Sequence, residues 1–111
     1  MQDNYDRFVR RVKRSGVVWG LKSDEGWAVC PSNEYDRDVY LFWSDEAYAR
    51  RHCISEWAEY KPTQIPLNEF IDAWLKGMDE AGELAGTNFN ADLAGLEVEP
   101  IQLAEDLIKD F

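Results

Sequence analysis

His52 and Cys53 are the residues of this chain whose types most resemble a nucleophile and its base. A cysteine is activated when a histidine within hydrogen-bond reach takes its proton. Successive side chains on a helix point to different faces, so a pair at i, i+1 is poorly placed for that work. The plainer reading is a solvent-facing or packed histidine beside a small buried hydrophobe. Cys30, in a strand before Pro31, reads as a second such hydrophobe. Carboxylates abound, but Asp24/Glu25, Asp45/Glu46, Asp79/Glu80 and Glu105/Asp106 are sequence neighbours rather than partners across a cleft. They read as turn residues and solvated helix faces. Asp36-Arg37-Asp38 has cation-binding residue types without the loop spacing that calcium hands require. No nucleophile elbow, P-loop or dinucleotide fingerprint is present. The expectation is a protein that is not an enzyme, with no catalytic, cofactor-binding or metal-ligating residue and no cofactor.

Recognition rather than catalysis is the chemistry the aromatic residues suggest. Five tryptophans, Trp19, Trp27, Trp43, Trp57 and Trp74, recur about once per element. Tryptophan organises cores and also anchors binding surfaces. Trp74 falls inside a helical apolar stripe and is expected in the interior. Trp19 and Trp27 flank a hairpin, where alternation should turn at least one inward. Trp43 closes a strand at an element junction, and Trp57 lies in a loop-like stretch beside Tyr60. The candidate binding surface is therefore Trp57, Trp43 and Tyr60.

Charge narrows the partners. Residues 1–22 hold six cations against two carboxylates, a net of +4, so the remaining 89 residues carry −14 of the formal −10. That field repels phosphate backbones and favours a basic partner, which argues against nucleic acid. Arg7, Arg10, Arg11 and Arg14 form one stripe with no interleaved aromatic, read as an exposed face pairing with the acidic body. No apolar run approaches the ~20 residues of a membrane span. The N-terminus lacks a secretory apolar core, and two cysteines make no disulfide framework. A reduced, cytoplasmic protein is the economical reading.

The elements that would position these residues follow from periodicity. Tyr5, Phe8, Val9 and Val12 make a helical stripe that Gly16 ends. Val17–Lys22, Trp27–Pro31 and Asp38–Trp43 read as a three-stranded meander. Ser44 reads as an N-cap, with Asp45 and Glu46 in the first turn of a helix reaching about Cys53. One turn at Ser55–Ala58 precedes an edge strand at Tyr60–Pro66, where prolines sit well. Leu67, Phe70, Ile71, Trp74, Leu75 and Met78 define the strongest helix, over Leu67–Ala81. Strands Glu83–Phe89 and Leu93–Val98 follow, then a helix with Pro100 at its first position. The sum is one α+β domain over residues 1–111. It should hold a mostly antiparallel sheet of about six strands, with helices on one face, including N- and C-terminal helices. An edge strand at Tyr60–Pro66 or Leu93–Val98 could pair two copies into a homodimer, though prolines argue against the first.

The blocks Val18-Trp19-Gly20-Leu21, Glu25-Gly26-Trp27-Ala28, Leu41-Phe42-Trp43-Ser44, Glu46-Ala47-Tyr48-Ala49, Glu56-Trp57 and Leu67-Asn68-Glu69-Phe70-Ile71-Asp72-Ala73-Trp74-Leu75 occur in this order. The series resembles the bacterial family catalogued as domain of unknown function 2750, from about Tyr5 to Leu107. That resemblance implies a small α+β domain without an assigned activity, and it adds no catalytic residue. Two functions stay open. The first is a non-enzymatic interaction module, immunity-like or adaptor, docking a basic protein partner. The second is a small-ligand-binding domain with an aromatic-lined pocket.

Overall fold

Apolar side chains at i, i+3, i+4 and i+7 do make the first helix, α1 (Gln2–Ser15), in the computed structural model, which describes residues 2–32, 34–90 and 95–109. Tyr5, Phe8, Val9 and Val12 are buried while Arg10, Arg11 and Arg14 face solvent. Gly16 (φ +75°) ends α1 in a conformation that costs a Cβ-free residue least.

The chain then enters β1 (Val17–Ser23), which pairs antiparallel with β2 (Gly26–Trp27) and with β5 (Lys61–Pro66). A second sheet has the order β3 (Val29–Pro31), β4 (Asp38–Phe42), β6 (Leu84–Thr87), β7 (Leu96–Val98). The expected single sheet is therefore two, of three and four strands. The run Trp27–Pro31 breaks at Ala28, whose N–H donates to Leu21 O at 2.8 Å while its carbonyl accepts from Leu41 N at 3.3 Å. One residue thus serves both sheets. The isolated antiparallel bridge Trp19–Trp43 also ties them, through N–H···O bonds of 2.9 and 2.8 Å.

The second sheet is also not wholly antiparallel. β4 and β6 run parallel, in register from Val39–Leu84 to Phe42–Thr87. The intervening chain supplies the crossover a parallel pair requires. Of it, α2 (Glu46–Arg50) is shorter than the helix expected to reach Cys53, and Ser55–Trp57 forms one 3₁₀ turn. The cap also moves by one residue. Asp45, not Ser44, accepts from Tyr48 N at 3.2 Å.

Residues 67–81 form one helical rod: α3 (Leu67–Glu69), a π-helical stretch (Phe70–Leu75) and α4 (Lys76–Ala81), closed by Gly82 at φ +75°. The last helix is α5 (Pro100–Ile108), with Pro100 at its start as expected. Strand alternation sorts the apolar residues onto two faces. Val18, Phe42, Ile65 and Ala85 join α1, the 67–81 rod and α5 in one core. Leu21, Val39, Leu41, Trp43, Leu84 and Phe89 form the other, with Ala49 of α2. Helices therefore cover both faces rather than one, because α2 and the 3₁₀ turn pack opposite α1. The linker around Asn90-Ala91-Asp92 and the start of the expected strand at Leu93 lie, from residue 91 to 94, outside the described residues.

Candidate functional site

The parallel strands β4 and β6 end side by side, and the residues that follow them carry the most unusual chemistry in the fold. Buried polar side chains are costly unless bonded. Ser44, Thr87 and Asn88 are nevertheless all buried at this one place. Asn88 sits at φ +50°, a left-handed conformation that asparagine tolerates better than most residues. Its N–H still continues the ladder to Phe42 O at 2.9 Å. Its Oδ1 accepts from Ser44 N at 2.9 Å, and its Nδ2 donates to Ser44 Oγ at 3.1 Å. Asn4 Nδ2 of α1 donates to Asn88 O at 2.9 Å. Two chain segments, the end of β4 and α1, are thereby fastened to one asparagine.

Outside this knot lies a cleft of about 170 Å³ lined by Asn4, Tyr48, Arg51, His52, Asn88, Phe89 and Asn90. It occupies the position, beyond the carboxyl ends of parallel strands, where open sheets commonly hold ligands. The guanidinium of Arg51 lies 5.1 Å from the Tyr48 ring centroid, a cation–π contact. Arg7 of α1 donates to the Tyr48 hydroxyl at 3.0 Å. Neither arginine makes an ion pair with a described residue. Arg11, by contrast, bonds Asp45 at 2.7 Å, as expected of the arginine stripe.

His52 lines this cleft and does not serve Cys53. Its Nδ1 lies 3.1 Å from Tyr48 O and its Nε2 2.9 Å from Asn90 O, both acceptors. A neutral imidazole can donate to only one of them. The ring also leans on Trp43 at 4.7 Å between centroids. Cys53 instead approaches Ala49 O, and burial pushes its thiol up despite the nearby Arg50. Burial likewise raises the Cys30 thiol, with Glu97 and Asp38 adding to it. Both cysteines are half-buried rather than fully buried, and neither is a favoured thiolate.

The aromatic residues fall elsewhere than their spacing predicts. Trp43 has no exposed surface, so it cannot belong to the expected binding face. It shares a strand face with Val39 and Leu41, and its Nε1 donates to Phe89 O at 3.0 Å. Trp57 and Tyr60 do come together, at 5.4 Å between centroids, but both are half-buried against the second core and neither lines the cleft. Trp74, expected in the interior, is only partly buried, edge-on to Trp27 at 4.6 Å and to Phe42 at 5.7 Å. The π-helical stretch explains this. Its i→i+5 spacing turns Phe70 and Leu75 inward and leaves Trp74 at the margin.

A second, more open cleft of about 390 Å³ lies between Pro31, Tyr35, Asp36, Arg37 and Asp38 on one side and Ala81, Gly82 and Glu83 on the other. Its cation is spent internally: Arg37 donates to Gly82 O at 2.6 Å and to both carboxylate oxygens of Glu99 at 2.6 and 3.0 Å. The Asp36-Arg37-Asp38 segment is thus organised by an arginine. Among the described residues no group of three His, Cys, Asp or Glu side chains gathers as a metal site would.

Sequence reasoning did not assemble Asn4, Tyr48, Arg51, Asn88, Phe89 and Asn90. The available signal was Thr87-Asn88 interrupting an otherwise apolar run, followed by an asparagine-rich stretch outside the resembling blocks. Among known families, the one described as "Protein of unknown function (DUF2750)" matches over residues 5–107. No curated protein and no solved structure matches the chain. No described helix is long and apolar enough to cross a membrane.

Proposed function

We propose, from the premise that the chain belongs to the DUF2750 family, that it is a non-enzymatic small-ligand-binding domain whose site is the cleft beyond β4 and β6. The observation that carries the reading is the convergence of Asn4, Tyr48, Arg51, His52 and Asn88 on one concavity. Ligand sites combine apolar walls with a few converging polar groups, and here Phe89 and the Tyr48 ring supply the first. The cleft's 170 Å³ lies below the ~300–1,000 Å³ of drug-sized pockets, so the ligand is small. The aromatic walls are Tyr48, His52 and Phe89 rather than the tryptophan pair. The test is an NMR titration of the full chain with a mixed set of small polar and aromatic fragments. The expected result is a cluster of shifted amides in residues 48–52 and 88–90. Fragments that shift no such cluster overturn the proposal.

A second reading, docking of a basic protein partner, is supported by α5. There Ile101 and Ile108 are 59% and 65% exposed on either side of exposed Glu105, at i, i+4 and i+7. Exposed apolar anchors among acids suit a basic surface. Its test is association with a partner captured from the source cell. The rate should fall with added salt, and Ile101→Ser should weaken the complex.

A further inference from the structure

The cleft is a local exception to the charge of the chain. The sequence carries 22 carboxylates against 12 lysines and arginines. Yet none of the described residues lining the cleft is acidic, and Arg51 is among them. Arg7 stands just behind, bonded to the hydroxyl of the Tyr48 that Arg51 covers. Arg11, Arg37 and Arg50 pair with carboxylates, whereas Arg51 makes no ion pair with a described residue.

From this arrangement we infer that the cleft takes a small organic anion, a carboxylate on a flat unsaturated body, with Arg51 as its charge partner. The inference rests on the ligand-binding reading above and adds the chemical class. The exposed Arg51 guanidinium, 5.1 Å from the Tyr48 ring centroid, carries the fork of N–H donors that suits bidentate contact with a carboxylate. The Asn4 amide, with one N–H left after its bond to Asn88 O, adds a donor without adding negative charge. The aromatic lining residues Tyr48, His52 and Phe89 suit a planar body better than a hydrated inorganic ion. The acidic shell does not forbid this. Asp45, whose carboxylate accepts from Tyr48 N at 3.2 Å, is already paired with Arg11, and salt screens charges beyond about 8 Å at physiological strength.

Two isosteric probes test the inference: benzoate, and benzamide as its neutral match, each titrated into the full chain and followed by amide shifts. Benzoate should shift residues 48–52 and 88–90, and benzamide should bind at least about tenfold more weakly, the scale of one charge-assisted bond. Arg51→Gln should weaken benzoate by a similar factor, and Arg51→Lys should recover part of it. Arg10→Gln, changing an exposed arginine on α1 outside the cleft, should leave binding unchanged. Equal binding of the two probes overturns the anion inference and leaves the ligand-binding reading standing. Failure of both probes and of the fragment set overturns both. Benzoate binding insensitive to Arg51→Gln, in a variant whose amide spectrum shows it folded, overturns the role of Arg51.

Discussion

Replacing Tyr5 by phenylalanine isolates one hydrogen bond that fastens the first helix to the last. The Tyr5 hydroxyl donates to Asp106 Oδ2 at 2.5 Å, joining α1 to α5. The ring is buried, so phenylalanine fills the same space and opens no cavity. A hydrogen bond to a charged group contributes ~1.5–3 kcal/mol. Asp106 keeps Gln102 on Oδ1 at 3.2 Å and Lys109 at 3.3 Å, and its side chain is 16% exposed, so water can reach the vacated oxygen. The loss should therefore fall near the lower end, about 1.5–2 kcal/mol. For a chain of this length that is about 6–8 °C in Tm.

The pH dependence gives the prediction its edge. Burial works to raise the Asp106 carboxyl, but hydrogen bonds from Tyr5, Lys109 and Gln102 outweigh it and hold it below its ordinary value. A depressed carboxylate contributes stability above the ordinary carboxylate range, lost as pH falls through the folded value. Burial, then the Asp106 bond, pushes the Tyr5 phenol well above its ordinary 10.0. A raised phenol contributes fully below that value, and the contribution fades as pH rises beyond it. The stability gap between wild type and Tyr5→Phe should thus be widest from about pH 5 to 9 and narrow at both ends. Urea unfolding across that range measures it. A gap under about 0.5 kcal/mol at neutral pH, or one unchanged from acid to alkali, refutes the reasoning.

Two further substitutions probe the strand ends beside the cleft. Thr87 Oγ1 is buried with no hydrogen-bond partner among the described residues, so Thr87→Val should stabilise by about 0.5–2 kcal/mol in urea unfolding, where a loss of stability would reveal a partner for that hydroxyl. At Gly86 an added Cβ would lie 2.7 Å from Phe89 Cε1 and 2.9 Å from Leu41 Cδ2. Gly86→Ala should cost about 1–3 kcal/mol and shift the amides of Tyr48 and His52 as Phe89 moves; unchanged stability would mean that Phe89 relocates freely.

Local patterns were legible where one element decides them. The α1 stripe, the glycine stops at Gly16 and Gly82, Pro100 at the head of α5 and the antiparallel pairing of β1 with β2 all follow from short-range rules. Errors arose where two elements share a residue. Ser44 looked like a cap because nothing local reveals that Asn88, 44 residues away, donates to its hydroxyl oxygen. Trp43 looked like a junction residue available to a partner, yet it bridges to Trp19 and donates to Phe89 O. Trp74 followed an α-helical stripe that the π-helical stretch displaces. The family resemblance, by contrast, carried through, since residues 5–107 match as a whole.

The cleft itself is a product of register. β4 and β6 are far apart in sequence and pair parallel, so Phe42 and Thr87 arrive at the same level. Both strands must then be continued by residues able to terminate a ladder without leaving buried groups unbonded. Asn88 does this for both at once, bonding Phe42 O through its N–H and Ser44 N through its side chain. Its left-handed turn throws Phe89 back against Gly86, where no Cβ obstructs the ring, and carries Asn90 to His52. α2 leaves β4 at the same level, which places Tyr48, Arg51 and His52 opposite. A one-residue slip of β6 would put its alternating side chains on the wrong faces and remove Asn88 from Ser44. The hydrophobic pattern that fixes the register therefore also fixes the site, and residues without a common motif come to share one cleft.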